Sequence, residues 1–221
     1  GRDGEGRDWL REFGPIDYEI PCGSLASVFR RTRGDFPNTP YLHVPQQDTA
    51  RWRNRLDGLG SGLKVGISWR GGSITTGTHA RSIPLREWEP ILRTPGTSFI
   101  NLQYTDCAAE VKATMNEVGV SVVTFQEALD DYYETAALVS ALDLVVSVCT
   151  TIVVVASGLG RPVWVMAPPG VKWPYPRGQR QTPWAPTAQV YWRGAAPGWA
   201  SVINCVAADL ARHRAPTNKP S

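Results

Sequence analysis

The chain has 221 residues, 42% hydrophobic and 19% charged, with a formal net charge of +3. That composition is globular and long enough for one large domain, or one domain plus a fragment, and it excludes a disordered or fibrous chain. No apolar run approaches the roughly 18 residues a membrane-spanning helix needs, so no span is expected.

The opening stretch, GRDGEGRDWLREFGP, has no initiator Met and no apolar signal core. It reads as an internal boundary of a longer protein, and a cytoplasmic location is expected. Residues 1–60 show no regular alternation of elements. Ile16–Ile20 is a candidate strand, Ser24–Phe29 a short helical turn and Thr49–Leu59 an amphipathic helix. An Arg- and Pro-rich linker lies between them.

From residue 63 onward, apolar runs alternate with helix-like runs. The expected strands are Leu63–Trp69, Ser98–Gln103, Val120–Thr124, Asp143–Val148, Pro162–Met166 and Ala188–Trp192. The expected helices are Pro84–Leu92, Asp106–Val118 with Asp106 as N-cap, Asp131–Leu142, Thr150–Leu159 closed by Gly160, and Gly198–Arg212. Continuous apolar strands separated by helices imply a parallel sheet buried on both faces. The expected fold class is therefore α/β: a Rossmann-like, doubly wound parallel sheet of about six strands. It spans 61–214, comes after a partial N-terminal extension (1–60) and precedes a disordered tail (215–221).

Cys22, Cys107, Cys149 and Cys205 are far apart, without CxxC spacing, and the three His are not placed to complete a metal site. Reduced, mostly buried thiols and no metal or cofactor are the expectation. Charge is unevenly spread: residues 104–143 hold eight acids and one Lys, whereas 161–221 hold eight Lys/Arg and one acid, Asp209. A basic C-terminal third suits an anionic ligand, and equally suits an ordinary solvated face.

A doubly wound sheet binds ligands beyond the carboxyl ends of its strands, where the strand order reverses. With the order 3-2-1-4-5-6, two loops become neighbours there. The first, RGGSITTGTHARS, has glycines for close backbone approach (Gly71, Gly72, Gly77), hydroxyls (Ser73, Thr75, Thr76, Thr78, Ser82) and two forked cations, Arg70 and Arg81. The second, at Cys149–Thr151, runs straight from a strand into a helix whose free amides and dipole favour an anion, with Thr150 and Thr151 adding hydroxyls. A third segment, Ala167–Pro186, sets Trp173, Tyr175 and Trp184 among prolines with Lys172, Arg177 and Arg180. Lys172, Trp173 and Arg177 are candidate base or phosphate contacts, although aromatics in a rigid Pro-rich loop equally suit packing against the domain.

The segments KVGISWRGG, RSIPLREWEPIL, FINLQYTD, ETAALVSALDLVVSV, LGRPVWVM and PW.P together resemble the C-terminal region of bacterial tetratricopeptide-repeat proteins with a glycosyltransferase-like domain. Those domains are similar to lipopolysaccharide heptosyltransferases and, more distantly, to peptide O-GlcNAc transferases. The resemblance covers roughly residues 17–212. It implies a two-domain GT-B architecture in which this half holds a nucleotide-diphosphate sugar, the substrate, at Arg70, Gly71, Gly72, Ser73, Arg81, Ser82, Thr150 and Thr151. It further implies inverting transfer, with the catalytic base on an N-terminal acceptor domain of which residues 1–60 are a remnant. The last helix would pack back towards that domain, and tetratricopeptide repeats are a possible further partner. Relatives carry a helix-start motif like DTxxxHLAGALG. Here Cys149 replaces the acid, and Val154 stands where the His is expected.

Other classes fit less well. The first strand leads into RGGS rather than GxGxxG, and Gln103 stands where a nicotinamide enzyme carries its ribose-binding acid. The basic residues form no nucleic-acid-binding stripe. No GxSxG elbow occurs, and of His43, His79 and His213 only His79 falls in the expected cleft. A non-catalytic relative that keeps the fold for binding or scaffolding remains the alternative to a transferase donor domain.

Overall fold

A computed structural model describes residues 12–72, 77–170, 174–194 and 197–213. The chain divides into two compact units, Gly1–Pro37 and Asn38–Ser221. In the first, a 3₁₀ turn at Cys22–Ser24 leads into helix α1 (Leu25–Phe29), and a second 3₁₀ turn covers Arg33–Asp35. Ile16–Ile20 alternates apolar and acidic residues between Pro15 and Pro21 but forms no strand, because no neighbouring edge pairs with it. Its apolar side chains are exposed, as are those of Phe13, Val28 and Phe29.

The second unit opens with α2 (Gln46–Asp57), which starts one turn earlier than its apolar pattern suggests, directly after Pro45. Trp52 and Leu56, four residues apart, face inward and are fully buried. The sheet comprises β1 (Leu63–Ser68), β2 (Thr97–Asn101), β3 (Val122–Val123), β4 (Leu144–Val148), β5 (Val163–Ala167) and β6 (Ala188–Trp192). All pairings are parallel, in the order β3-β2-β1-β4-β5-β6. The strand order therefore reverses between β1 and β4, as expected.

The connecting helices are α3 (Glu89–Leu92), α4 (Ala108–Val118), α5 (Gln126–Asp130), α6 (Tyr132–Ala141), α7 (Thr151–Gly158) and α8 (Ala200–Arg212). Several differ from expectation. Pro84–Leu92 is not one helix: a 3₁₀ turn at Leu85–Trp88 precedes α3, which carries Pro90 in its first turn. Cys107, not Asp106, occupies the N-cap position of α4, although Asp106 Oδ1 accepts from the Ala108 amide at 3.2 Å. The short helix α5 has no counterpart among the expected elements. The third strand shrinks to two residues. Asp131 does cap α6, its Oδ1 accepting from the Tyr133 and Glu134 amides at 2.7 and 3.2 Å. The tail expected to be disordered, 215–221, lies outside the described residues.

The strand pleat sends alternate side chains into two cores. Val65, Ile67, Val146, Val148, Trp164 and Met166 join Trp88, Ile91, Val202 and Val206 beneath α3, α4 and α8. Ile100, Val145, Val163 and Val165 join Trp52, Leu138 and Val153 beneath α2, α6 and α7. Gly66, in the middle of β1, leaves room where a Cβ would meet Leu102 Cδ1 at 2.4 Å and Leu142 Cδ1 at 2.6 Å. α2 is fastened to α6: Arg51 donates two hydrogen bonds to Glu134 at 2.8 and 2.9 Å, and Trp52 Nε1 donates a third at 2.8 Å. Buried Lys64 donates to the carbonyls of Gly60 and Gly62. Its desolvation holds the ammonium below the usual lysine range.

No helix among the described residues is long and apolar enough to cross a membrane. All four cysteines are free, but only Cys107 and Cys149 are buried. The expectation of mostly buried thiols fails at Cys22 and Cys205, which lie on exposed faces of the first unit and of α8.

Candidate functional site

β1 and β4 end side by side, with Ser68 in register with Ser147. The loops that leave these two strand ends are therefore forced together. After β1 the chain passes through Trp69 and Arg70 into Gly71. A Cβ on Gly71 would stand 2.9 Å from the Cys149 carbonyl oxygen and 3.3 Å from Thr150 Cγ2, so only glycine permits this approach. The loop closes on itself around that residue. The Gly71 amide donates to Ser82 Oγ at 3.2 Å, and Thr78 Oγ1 donates to the Gly71 carbonyl at 3.0 Å. The Ile83 amide returns to the Trp69 carbonyl at 2.9 Å.

After β4, Thr150 is extended (φ −126°, ψ 171°) at the N-cap position of α7. Its hydroxyl shares a 2.9 Å hydrogen bond with Ser147 Oγ rather than capping the helix, so the Thr150 side chain does not cover the first amides of α7. A cavity of about 620 Å³ opens in front of this junction. Its floor is Gly71, Gly72, Cys149, Thr150 and Thr151. Val153 and Val154 of α7 form one wall, and Pro174, Tyr175, Trp184 and Ala185 from the segment after β5 form another. Tyr41 and Tyr104 complete the rim, with Arg81 as the cation.

The electrostatics arise from burial and from Arg81. Desolvation pushes the Cys149 thiol up to about 12, and it pushes the Tyr175 hydroxyl well above the usual tyrosine range. The Arg81 charge opposes both shifts. Among the described lining residues there is no Asp, Glu or His. Among the described residues generally, no cluster of His, Cys, Asp or Glu is arranged to hold a metal ion.

The structure thus brings together Gly71, Gly72, Arg81, Thr150 and Thr151, and sets Ser82 one layer behind Gly71. Arg70 behaves otherwise. Its backbone amide donates to Gln103 Oε1 at 2.9 Å, and its guanidinium pairs with Glu110 at 2.7 Å on α4, off the cavity lining. Gln103 is buried and ties the ends of β1 and β2 together, which accounts for an amide at that position. Ser73, Thr75, Thr76, Lys172 and Trp173 lie outside the described residues. Arg177 is exposed on its loop and does not line the cavity. His79 sits exposed in a 3₁₀ turn, also off the lining, so its expected place in the cleft is corrected.

Three described cations of the basic C-terminal third are engaged elsewhere. Arg180 and Arg212 both pair with Asp209, and Arg193 lies over the Trp199 ring. Reasoning from sequence misses Glu110, Tyr41 and Tyr104. Tyr104 directly succeeds Gln103 at the carboxyl end of β2, a position the strand-end rule marks. Tyr41 carries no local signal, because the segment that delivers it is remote in sequence from every other lining residue.

No family model matches the chain. Among curated proteins it is similar to protein FlbA of Caulobacter vibrioides, at 29% identity over 197 residues that cover 86% of this chain and 32% of FlbA. The chain therefore spans about a third of that protein's length. Among solved structures it is similar to a glycosyl transferase of family 9 from Veillonella parvula, with a TM-score of 0.51 and 14% identity over 69% of this chain and 42% of that one. It is also similar to the ADP-heptose lipopolysaccharide heptosyltransferase II of E. coli, with a TM-score of 0.50 and 16% identity over 83% of this chain and 56% of that one. At these identities the likeness establishes the fold alone: a six-stranded, parallel, Rossmann-like domain of the kind found in GT-B glycosyltransferases.

Proposed function

We propose that this domain is the donor half of a glycosyltransferase and that its cavity takes the diphosphate of a nucleotide sugar. The observation that carries the proposal is the junction of Gly71 with Cys149 and Thr150. There a glycine backbone, the start of α7, whose amides no side chain caps, and the Arg81 cation converge on one space of about 620 Å³. Each feature favours an anion: free amides donate, the helix dipole is positive at this end, and a guanidinium forks onto phosphate oxygens. In transfer with inversion, these groups would stabilise charge on the departing diphosphate. The base that removes the acceptor hydroxyl proton belongs, in this proposal, to a partner domain, since no described lining residue is an Asp, Glu or His. Tetratricopeptide repeats are a proposed further part of the whole protein, and the cytoplasm its proposed location.

Calorimetric titration with UDP, GDP and ADP sugars tests the proposal. Saturable binding of one of them is the expected result, and absence of heat with all three at millimolar concentration would end it.

One observation favours a second reading, a binding domain without catalysis. Val154 projects into the cavity on the exposed side of α7 and can neither donate a hydrogen bond nor carry charge. Cys149, in the acid's place, is a buried neutral thiol. Donor binding without donor turnover, measured on the chain joined to its acceptor domain, selects this second reading.

A further inference from the structure

The segment before α2 contributes to the cavity although it lies outside the alternating strands and helices. Its path is fixed by α7. The Tyr41 and Leu42 amides both donate to the Gly158 carbonyl at 2.9 Å, and the Tyr41 hydroxyl reaches the Val154 carbonyl at 3.5 Å. The contact is close. A Cβ on Gly158 would stand 2.8 Å from Leu42 Cδ1 and 3.0 Å from Tyr41 Cζ, and one on Gly160 would stand 2.7 Å from Pro40 Cγ. Two glycines at the end of α7 therefore leave room for this strap, the side chains of Pro40, Tyr41 and Leu42, which a Cβ at either position would shift. The strap leaves the Tyr41 ring about half exposed, at 53%, on the cavity rim beside Val154. A large aromatic held open to solvent by its backbone, at a cavity mouth, offers a flat apolar face without further ordering cost.

We propose that Tyr41 is a binding residue for the organic portion of the donor, its base or sugar ring, and not for the diphosphate. This rests on the diphosphate reading above. With phosphate at Gly71, Arg81 and the tip of α7, whatever is esterified to it must extend along the cavity, and Tyr41 and Val154 form an apolar wall one turn farther along that helix. The flat face of a nucleobase or the C–H face of a pyranose both match that wall.

The test is titration of the wild-type chain, Tyr41→Ala, Tyr41→Phe and Gly158→Ala with three probes: inorganic pyrophosphate, the nucleoside diphosphate, and the nucleotide sugar that the wild type binds. Tyr41→Ala is expected to weaken the nucleotide sugar about tenfold, the scale of one lost stacked ring, while leaving pyrophosphate unchanged. Tyr41→Phe retains affinity, because the ring and not the hydroxyl does the binding. Gly158→Ala, off the cavity lining, weakens binding like Tyr41→Ala by displacing the strap. A loss shared by the nucleoside diphosphate assigns the ring to the base, and a loss confined to the nucleotide sugar assigns it to the sugar. Unchanged affinity in a normally folded Tyr41→Ala overturns the inference and leaves the diphosphate reading intact, as does an equal loss for pyrophosphate. A wild type that binds none of the probes overturns both.

Discussion

Glu110 on α4 holds Arg70 at 2.7 Å and thereby turns the guanidinium at the start of the glycine loop away from the cavity. The same carboxylate accepts from Trp69 Nε1 at 2.8 Å and from the Leu85 amide at 3.0 Å. One side chain thus ties the residue before the loop to a residue just beyond it.

Removing that tie should be costly. Glu110→Ala is expected to lower unfolding stability by about 1–3 kcal/mol, chiefly because the indole N–H of Trp69, a fully buried residue, loses its acceptor. Glu110→Gln should lose less, since its one amide oxygen can still accept from Trp69 Nε1, while its NH2 then faces the Leu85 amide and the ion pair, on side chains 29–36% exposed, is lost. Urea unfolding of the two variants checks the order, and equal stability of wild type and Glu110→Ala would contradict it.

The two arginines of the loop should separate cleanly. Arg81→Ala is expected to weaken binding of a nucleoside diphosphate by about tenfold or more, the scale of a lost charge-assisted hydrogen bond. Arg70→Ala should leave affinity within about twofold, because its guanidinium lies on Glu110. Calorimetry on both variants decides, and a larger loss at Arg70 would mean that the arginine leaves Glu110 when ligand arrives.

The thiols should differ sharply in reactivity. Iodoacetamide at pH 8 is expected to modify exposed Cys22 and Cys205 and to spare Cys149 until the chain unfolds. Burial raises the folded-state value of Cys149 to about 12. Between the unfolded value near 9 and that point, the unfolded chain loses a proton that the folded chain keeps. Stability contributed by the neutral thiol is therefore complete below about pH 9 and declines towards pH 12. Cys149→Ala should flatten that alkaline decline, read from unfolding curves across the range.

At the start of α6, Asp131→Ala should cost about 1 kcal/mol, since two first-turn amides lose their acceptor. Asp131→Asn, which keeps a capping oxygen, should cost little. Thermal unfolding distinguishes the two.

The strands and their order are legible because a sheet covered on both faces needs continuous apolar runs such as LKVGIS and LVVSV, and those runs are local. The approach of Gly71 to Thr150 follows from the parallel ends of β1 and β4 together with a residue that has no Cβ to clash. Arg70 misleads because its partner lies forty residues away, and a guanidinium suited to phosphate is equally suited to carboxylate. Tyr41 is invisible in sequence because its position depends on two glycines at the far end of α7, whose significance emerges only when the strap is seen against them. Ile16–Ile20 has strand-like alternation, but a pattern of side chains cannot supply the neighbouring backbone that a strand requires.

One outer strand of the sheet is short and the other is partly engaged. β3 contributes two residues, too few to template another chain, and on the outer side of β6 the Val190 amide is already taken by the Arg180 carbonyl at 2.8 Å, with Trp192 Nε1 on the Gln179 carbonyl at 2.7 Å. A further strand would therefore meet a two-residue edge at β3 and, at β6, an edge whose central amide is already engaged.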